Sequence, residues 1–340
     1  MKYLLAPMAG FTNAAFRRMC SRRGAALTFT EMVSAAGLAH GSLPTRTLME
    51  TLPGEGPVAC QIFGSNPDEL AFAAREASSL RGTGPGACDR PRFCAIDLNA
   101  GCPMPKIVKE GAGAALAGNP QLLHDCLAAM RRESSLPVTL KTRPGPRPDR
   151  VLMMELLDAA VSAGCSGIAL HARFTSQMHS GGTHLDLLAE LAGASPVPVA
   201  GNGGVYNRAT ASAMAETGVA AIMIGRAALA NPWIFSDLES GEPEEAVEAP
   251  ERRAALQDAA FREHLDSAME LQAQLAENHP GAHVPDPDSF ASYVLHTHLV
   301  RYFNRRPGAA ELRRRIAGIK TLAETAGLMQ LAGTCGESSA

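Results

Sequence analysis

The chain has no CxxC pair and no Cys/His spacing suited to a metal, although it carries eight cysteines, at positions 20, 60, 88, 94, 102, 126, 165 and 335. Most of them lie inside apolar runs. That excludes a disulfide framework and a metal centre, and points to reduced thiols in a cytoplasmic protein. No apolar stretch approaches the ~18 residues a membrane span requires. The opening MKYLLAPMAG has one lysine and a short apolar run, but Pro7 and Gly10 interrupt it before a signal-peptide core can form. There is no GxGxxG fingerprint for a separate dinucleotide domain. The formal charge of −3 is close to neutral, so the total implies no polyanion partner and only local clusters can.

What is present is an alternation. A chain of 340 residues holds one large domain and a small one, because single cores stop growing at roughly 250 to 300 residues. Eight apolar runs of strand length occur, at residues 2–8, 27–33, 58–63, 94–99, 138–143, 167–171, 197–201 and 220–224. Amphipathic stretches separate them, at 68–80, 120–133, 150–163, 184–192 and 208–217. Eight strand-then-helix units predict an α/β fold, a TIM (β/α)8 barrel over residues 1–240. The acidic, proline-containing segment SGEPEEAVEAPE follows, and 241–251 reads as a linker. Strand signals then stop. Helical periodicity at 252–278 and 290–331, around a turn-rich 279–288, predicts a small helical domain over 252–332 and a disordered tail at 333–340. The segment RGTGPGACDRPR at 81–92 reads as a loop before the fourth strand. We expect a monomer.

Polar side chains stand where the strands end: Gln61, Asn99, Lys141, Arg143, His171 and Asn202. Any one of them could simply be a wet loop residue. Six at matching positions point to the carboxyl face, where barrels build active sites. Among the cysteines, Cys102 alone follows a strand end, between Gly101 and Pro103, with Asn99, Lys106 and Lys109 nearby as polar and cationic company for a reactive thiol. The other seven read as small buried hydrophobes. A lysine ending a buried strand needs an anion, because an unpaired buried ammonium is costly; Lys141 is such a residue.

The opening LAPMAGFTNAAFRRMC resembles the first strand and loop of the tRNA-dihydrouridine synthases, a flavin-dependent family. QIFG at 61–64, LNAGCP with Lys106 and GAGAAL, KTRPG at 141–145, HARFTSQMHSG at 171–181, GNGG at 201–204 and IGRAALANPWIF at 224–235 resemble it too, in order. The resemblance covers about residues 1–240. It implies that Pro7, Met8 and Ala9 pack on the ring of FMN, and that Gln61 and Lys141 meet its pyrimidine edge. His171 would contact flavin or substrate, and Asn202, Gly203, Gly204, Gly225 and Arg226 would hold the FMN phosphate. Bare backbone N–H groups in glycine turns after the seventh and eighth strands suit that anion.

The same resemblance implies NADPH, or NADH, as electron donor, tRNA as substrate, and Cys102 as the acid. In uracil the C5=C6 bond is conjugated to the C4 carbonyl, so hydride added at C6 leaves an enolate-like anion to be protonated at C5; a thiol at neutral pH still carries a proton to give. Asn99, Lys106, Arg143 and Arg173 are expected near substrate or RNA. Between His296 and Lys320 stand Arg301, Arg305, Arg306, Arg313, Arg314, Arg315 and Lys320 against Glu311 alone, seven basic residues to one acid, a local +6. That cluster, with Tyr302 and Phe303, predicts RNA contact by the helical domain. Some positions depart from the family pattern. Phe174, Thr175 and His179 replace Thr, Arg and Tyr, Gly204 stands where Asp is common, and Asn13 replaces Asp. The alternatives are a flavin barrel oxidoreductase acting on a small molecule, as the dihydroorotate and enoate oxidoreductases do, and an RNA-binding module without catalysis.

Overall fold

The computed structural model describes residues 1–82, 90–242, 249–302 and 309–325. Nine parallel strands wind into a barrel: β1 Lys2–Leu5, β2 Thr28–Phe29, β3 Val33–Ser34, β4 Val58–Phe63, β5 Ala95–Ala100, β6 Val138–Thr142, β7 Ile168–His171, β8 Val199–Asn202 and β9 Ala221–Ile224. Their order is β1-β9-β8-β7-β6-β5-β4-β2, with β3 also on β4. The gap between β2 and β1 is bridged when Ala26 N–H donates to Tyr3 O at 2.8 Å and Leu5 N–H to Leu27 O at 2.9 Å. The ring and its outer helices are the expected (β/α)8 architecture.

One expected strand is broken. Thr28 pairs with Val58 but Val33 pairs with Ile62, so residues 27–33 carry one residue more than β4 opposes, a bulge. Its cause is Thr30. The hydroxyl accepts the Gln61 N–H at 3.0 Å and donates to Glu31 O at 2.8 Å, replacing ladder bonds and turning Glu31 so that its carboxylate accepts the N–H of Gly10 in the loop after β1.

Alternation along the strands sorts side chains between two regions. Outward residues such as Ile62, Ile96, Leu98, Leu140, Leu170 and Ile222 join the core shared with the helices. Inward residues form a separate apolar plug of Leu4, Phe29, Ala59, Ala95, Ala169, Ala200 and Met223. Many of these are alanines, which leaves room above them for a polar layer near the carboxyl ends.

Beyond the barrel, the helix Pro250–Asn278 packs on the barrel helix Ala14–Ser21. Buried Arg18 donates to Ser267 Oγ at 2.8 Å and pairs with Glu270 at 2.6 Å. Buried Glu50 accepts from Gln274 Nε2 at 2.7 Å and lies 2.8 Å from His279 Nε2. The next helix, Pro287–Val294, is capped by Asp286 and runs into a π-helical turn at Leu295–Leu299, then Val300–Tyr302; a further helix spans Ala309–Gly318. Phe303, Arg305 and Arg306 lie outside the described residues, as do the expected tail, most of the expected linker and most of the 81–92 loop. No helix among the described residues is long and apolar enough to cross a membrane.

Candidate active site

Polar side chains lie above the alanine plug, on inward positions toward the carboxyl ends of five strands. Gln61, Asn99, Lys141, His171 and Asn202 come from β4 to β8, and register places Asn99 beside Lys141 and His171 beside Asn202. Gln61 is level with Asp97, one inward step below Asn99, and Asp97 is level with Thr139. The buried groups are hydrogen-bonded to one another. Gln61 Nε2 donates to Asp97 Oδ2 at 2.8 Å, Thr139 Oγ1 to Asp97 Oδ1 at 2.6 Å, and Asn99 Nδ2 to Gln61 Oε1 at 2.9 Å. Burial pushes the Asp97 carboxyl up to about 6, against the Gln61 and Thr139 hydrogen bonds and the nearby Lys141 charge.

Cys102 sits at the mouth, partly exposed. Asn99 Oδ1 accepts the N–H of Gly101 at 3.1 Å and of Cys102 at 2.9 Å, and Cys102 O accepts the N–H of Ala114. Gly113, at φ +58°, is required beneath this turn, since a Cβ there would lie 2.7 Å from Cys102 O. The other thiols differ. Cys20, Cys60, Cys126 and Cys165 are buried, and burial pushes Cys60 and Cys126 up to about 12. Cys94, read as core, is instead exposed, because it precedes β5 at the opposite end of the barrel; Cys88 and Cys335 lie outside the described residues.

Lys141 donates to Asn202 Oδ1 at 3.2 Å, and Asn202 Nδ2 to Met223 O at 2.7 Å. Burial, then the Arg143 charge, pushes the Lys141 ammonium down to about 8, while Asp97 and Cys102 act the other way. His171 is held well below the ordinary imidazole value by burial, then by Lys141, Arg143 and Arg173. It is therefore neutral, with Nε2 placed to accept from Arg173 NH1 at 3.3 Å. Arg226 donates to His179 O at 3.3 Å, and Arg173 to Gly181 O at 3.1 Å. Burial, then the Arg226 charge, lowers the Arg173 pKa, so the two guanidiniums repel.

Beside them Gly203 and Gly204 have φ of +114° and +76°, and a Cβ on Gly203 would lie 2.8 Å from His171 Cδ2. Gly225 faces Ala6 and the Met8 sulfur, each 3.6 Å from where its Cβ would be. Among the described residues none of Lys141, Arg173 and Arg226 has a carboxylate within ion-pair distance. The result is a glycine-lined, cation-rich corner, with Met8 beside Gly225, whose charge and bare backbone suit an anionic group such as a phosphate.

Arg143 differs from the rest. It is fully buried and donates to Gly101 O at 2.7 Å, Arg173 O at 3.3 Å and Phe174 O at 3.1 Å, so it fastens the Cys102 loop to the loop after β7. Lys106 is exposed on the short helix Pro105–Lys109. The unusual loop residues have structural accounts. Phe174 is buried edge-on to His184, ring centroids 4.9 Å apart; Thr175 donates to Gly145 O; His179 stacks on His171 at 5.9 Å. Asn13 caps Ala14–Ser21 by accepting the Phe16 N–H, as an aspartate would.

The rim carries exposed apolar side chains: Met104, Val151, Met178 and Tyr206 on loops after β5 to β8, and Tyr293, whose hydroxyl donates to Gly10 O at 3.0 Å. Met178, at φ 54° and ψ −99°, is the one non-glycine at positive φ among the described residues. Arg301 lies over the Phe11 ring at 5.0 Å, joining the helical region to the mouth. Arg314 and Arg315 share Glu311, at 2.7 and 3.0 Å, and with Arg313 are exposed.

The profile of the dihydrouridine synthase (Dus) family matches residues 4–334. A probable tRNA-dihydrouridine synthase of Treponema pallidum is 38% identical over 240 residues, 68% of each chain. One from Aquifex aeolicus is 32% identical over 321 residues, 91% of this chain and 96% of its own. tRNA-dihydrouridine synthase B of Shewanella oneidensis is 33% identical over 299 residues, 84% and 87% of the two chains. A match of that extent, on a barrel whose mouth gathers Cys102, Lys141, His171 and the glycine turns, places this chain in the dihydrouridine synthase family.

Proposed function

We propose that the protein reduces the C5=C6 bond of uridines in tRNA to 5,6-dihydrouridine, using FMN and NADPH or NADH. The observation that carries this reading is the placement of Cys102, a partly exposed thiol on a hydrogen-bonded turn at the rim of a cation-lined barrel mouth. Lys141, Gln61 and His171 would meet the flavin ring, and Asn202, Gly203, Gly204, Gly225 and Arg226, with Arg173, its phosphate. FMN, when bound, supplies the hydride for uracil C6.

The chain's own residues do the rest. Lys141 neutralises negative charge held above it. Neutral His171 accepts from Arg173 and keeps that guanidinium turned toward the glycine corner. Cys102 transfers its proton to C5, and the resulting thiolate regains a proton from solvent at the exposed mouth.

The RNA partner has separate support. Counting the loops at 101–112, 143–152, 172–184, 203–207 and 225–226 without the buried Arg143, six lysines and arginines stand against two acids, a local +4 near the rim that also carries Met104, Met178 and Tyr206. Cations for phosphate beside exposed apolar side chains for splayed bases suit structured RNA with an everted base. In this reading residues 1–240 are the catalytic barrel and 252–332 the RNA-binding unit, with Lys106, Arg301 and Arg313 to Arg315 near the backbone.

The test is incubation of purified holoprotein with NADPH and unmodified tRNA, followed by nucleoside analysis. Dihydrouridine is expected. Bound FMN without dihydrouridine would turn the assignment to a small-molecule reductase, and a colourless protein that binds tRNA would turn it to a non-catalytic module.

A further inference from the structure

We propose that Asp97 is a positioning residue for Cys102, acting through the Gln61 and Asn99 amides. Its carboxylate is buried under the polar layer, 1% exposed, and touches neither the mouth nor a cation at ion-pair distance among the described residues. Its role follows from donor and acceptor types.

A carboxylate only accepts. Gln61 must therefore turn its NH2 toward Asp97, at 2.8 Å, which leaves Oε1 on the other side. Asn99 faces that oxygen at 2.9 Å and so must present its NH2, leaving Oδ1 for the turn. Oδ1 then accepts the N–H groups of Gly101 and Cys102. Both ends of the relay demand the same orientation of both amides. Thr139, donating to the second carboxylate oxygen at 2.6 Å, fixes the carboxylate itself. The relay runs across three neighbouring strands, Thr139 on β6, Asp97 and Asn99 on β5 and Gln61 on β4, and holds the Cys102 backbone from below.

This polarity can be reversed. In Asn99→Asp alone, two carboxylates flank one Gln61 amide, which can satisfy only one of them. In the double variant Asp97→Asn/Asn99→Asp, the carboxylate moves to position 99, where it accepts from the turn and from the Gln61 NH2. Gln61 Oε1 then accepts from the new amide NH2 at position 97, and the oxygen of that amide accepts from Thr139. Every group is paired again.

The proposal's bearing on catalysis rests on Cys102 being the acid, but the alignment is testable without turnover. Iodoacetamide labelling of the folded full chain, mapped by peptide mass, reads the Cys102 turn while Cys20, Cys60, Cys126 and Cys165 report global opening. Asn99→Asp should change the Cys102 rate at least fivefold with the four buried thiols unchanged, and the double variant should return it to within twofold of wild type. Additive effects in the double variant, or an unchanged rate in Asn99→Asp, overturn the proposal. If Asn99→Asp does not fold, Asp97→Asn is compared with the double variant: the single change should alter labelling less than twofold, since an amide with Oδ1 toward Gln61 and NH2 toward the Thr139 hydroxyl keeps the relay, and a larger change overturns it. Dihydrouridine formed at wild-type rate by Cys102→Ala would sink the acid assignment and leave the alignment result standing.

Discussion

Asn99 Oδ1 accepts the Cys102 N–H at 2.9 Å, so the turn that carries the rim thiol is held by a backbone hydrogen bond to a buried strand residue. Removing the sulfur should therefore leave the turn intact. Cys102→Ala is expected to fold with a Tm within about 2 °C of wild type, since a partly exposed small side chain away from the core costs under ~0.5 kcal/mol. It should retain FMN and be reduced by NADPH, while dihydrouridine formation falls by two orders of magnitude or more, the scale of a lost general acid. Stopped-flow flavin reduction and nucleoside analysis separate the two half-reactions. Equal product from mutant and wild type would refute the role.

Arg173 and Arg226 repel one another beside Gly203 and Gly204, an arrangement that an anion relieves. Arg226→Ala should weaken FMN binding by about 10- to 100-fold, the range of one charge-assisted phosphate contact at about 1.5–3 kcal/mol. Riboflavin, which lacks the phosphate, should bind wild type and mutant alike. Fluorescence titration of the apoprotein with both ligands checks this, and equal weakening for riboflavin would remove Arg226 from the phosphate site.

The barrel was legible in the sequence because buried parallel strands are short apolar runs and their helices amphipathic, so eight units could be counted. The bulge at Thr30 was not, since a β-branched residue in an apolar run looks like strand; only the hydroxyl's bonds to Gln61 and Glu31 reveal the break. Strand ends marked Gln61, Asn99, Lys141, His171 and Asn202. Asp97 carries no such mark, although it shares an inward face with Asn99, and that i, i+2 spacing was the available signal. Arg143 sits at a strand end like the others, yet its side chain is committed to three carbonyls, a distinction that needs the fold of a loop some thirty residues away. Phe174 breaks the family pattern because the core beside His184 takes an aromatic ring there.

RNA contact should divide by chemistry. Arg313 to Arg315 are exposed on one helix and two of them share Glu311, so their joint replacement by alanine should weaken tRNA binding and flatten its salt dependence, each lost phosphate contact reducing the slope by about 1. Tyr206, 66% exposed after β8, has no packing to lose. Tyr206→Ala should cost about 1–3 kcal/mol of affinity if a base stacks on it, with the salt slope unchanged. Filter binding of unmodified tRNA from low to moderate salt measures both terms, and a slope change in Tyr206→Ala would contradict the division.

Acid should loosen the seam between barrel and helices. His264 and His298 are both buried, with ring centroids 4.7 Å apart against Phe16, and His264 Nδ1 lies 2.8 Å from the Tyr302 hydroxyl. Burial, with the neighbouring His298 charge, holds His264 far below the usual imidazole value, and burial, then Arg301, holds His298 down to about 3. A histidine with a lowered folded pKa binds fewer protons folded than unfolded. Between the two pKa values stability therefore rises with pH: it is complete above about 6.5 and declines as pH falls below it, by up to about 1.4 kcal/mol per pH unit for each histidine. His298 has two ring nitrogens without hydrogen-bond partners among the described residues, so nothing polar is broken by replacing it. His298→Phe should match or exceed wild-type Tm at neutral pH and lose less on going to about pH 5, below the ordinary imidazole value. Thermal melts across that range decide it, and parallel pH curves for mutant and wild type would show that His298 does not carry the acid sensitivity.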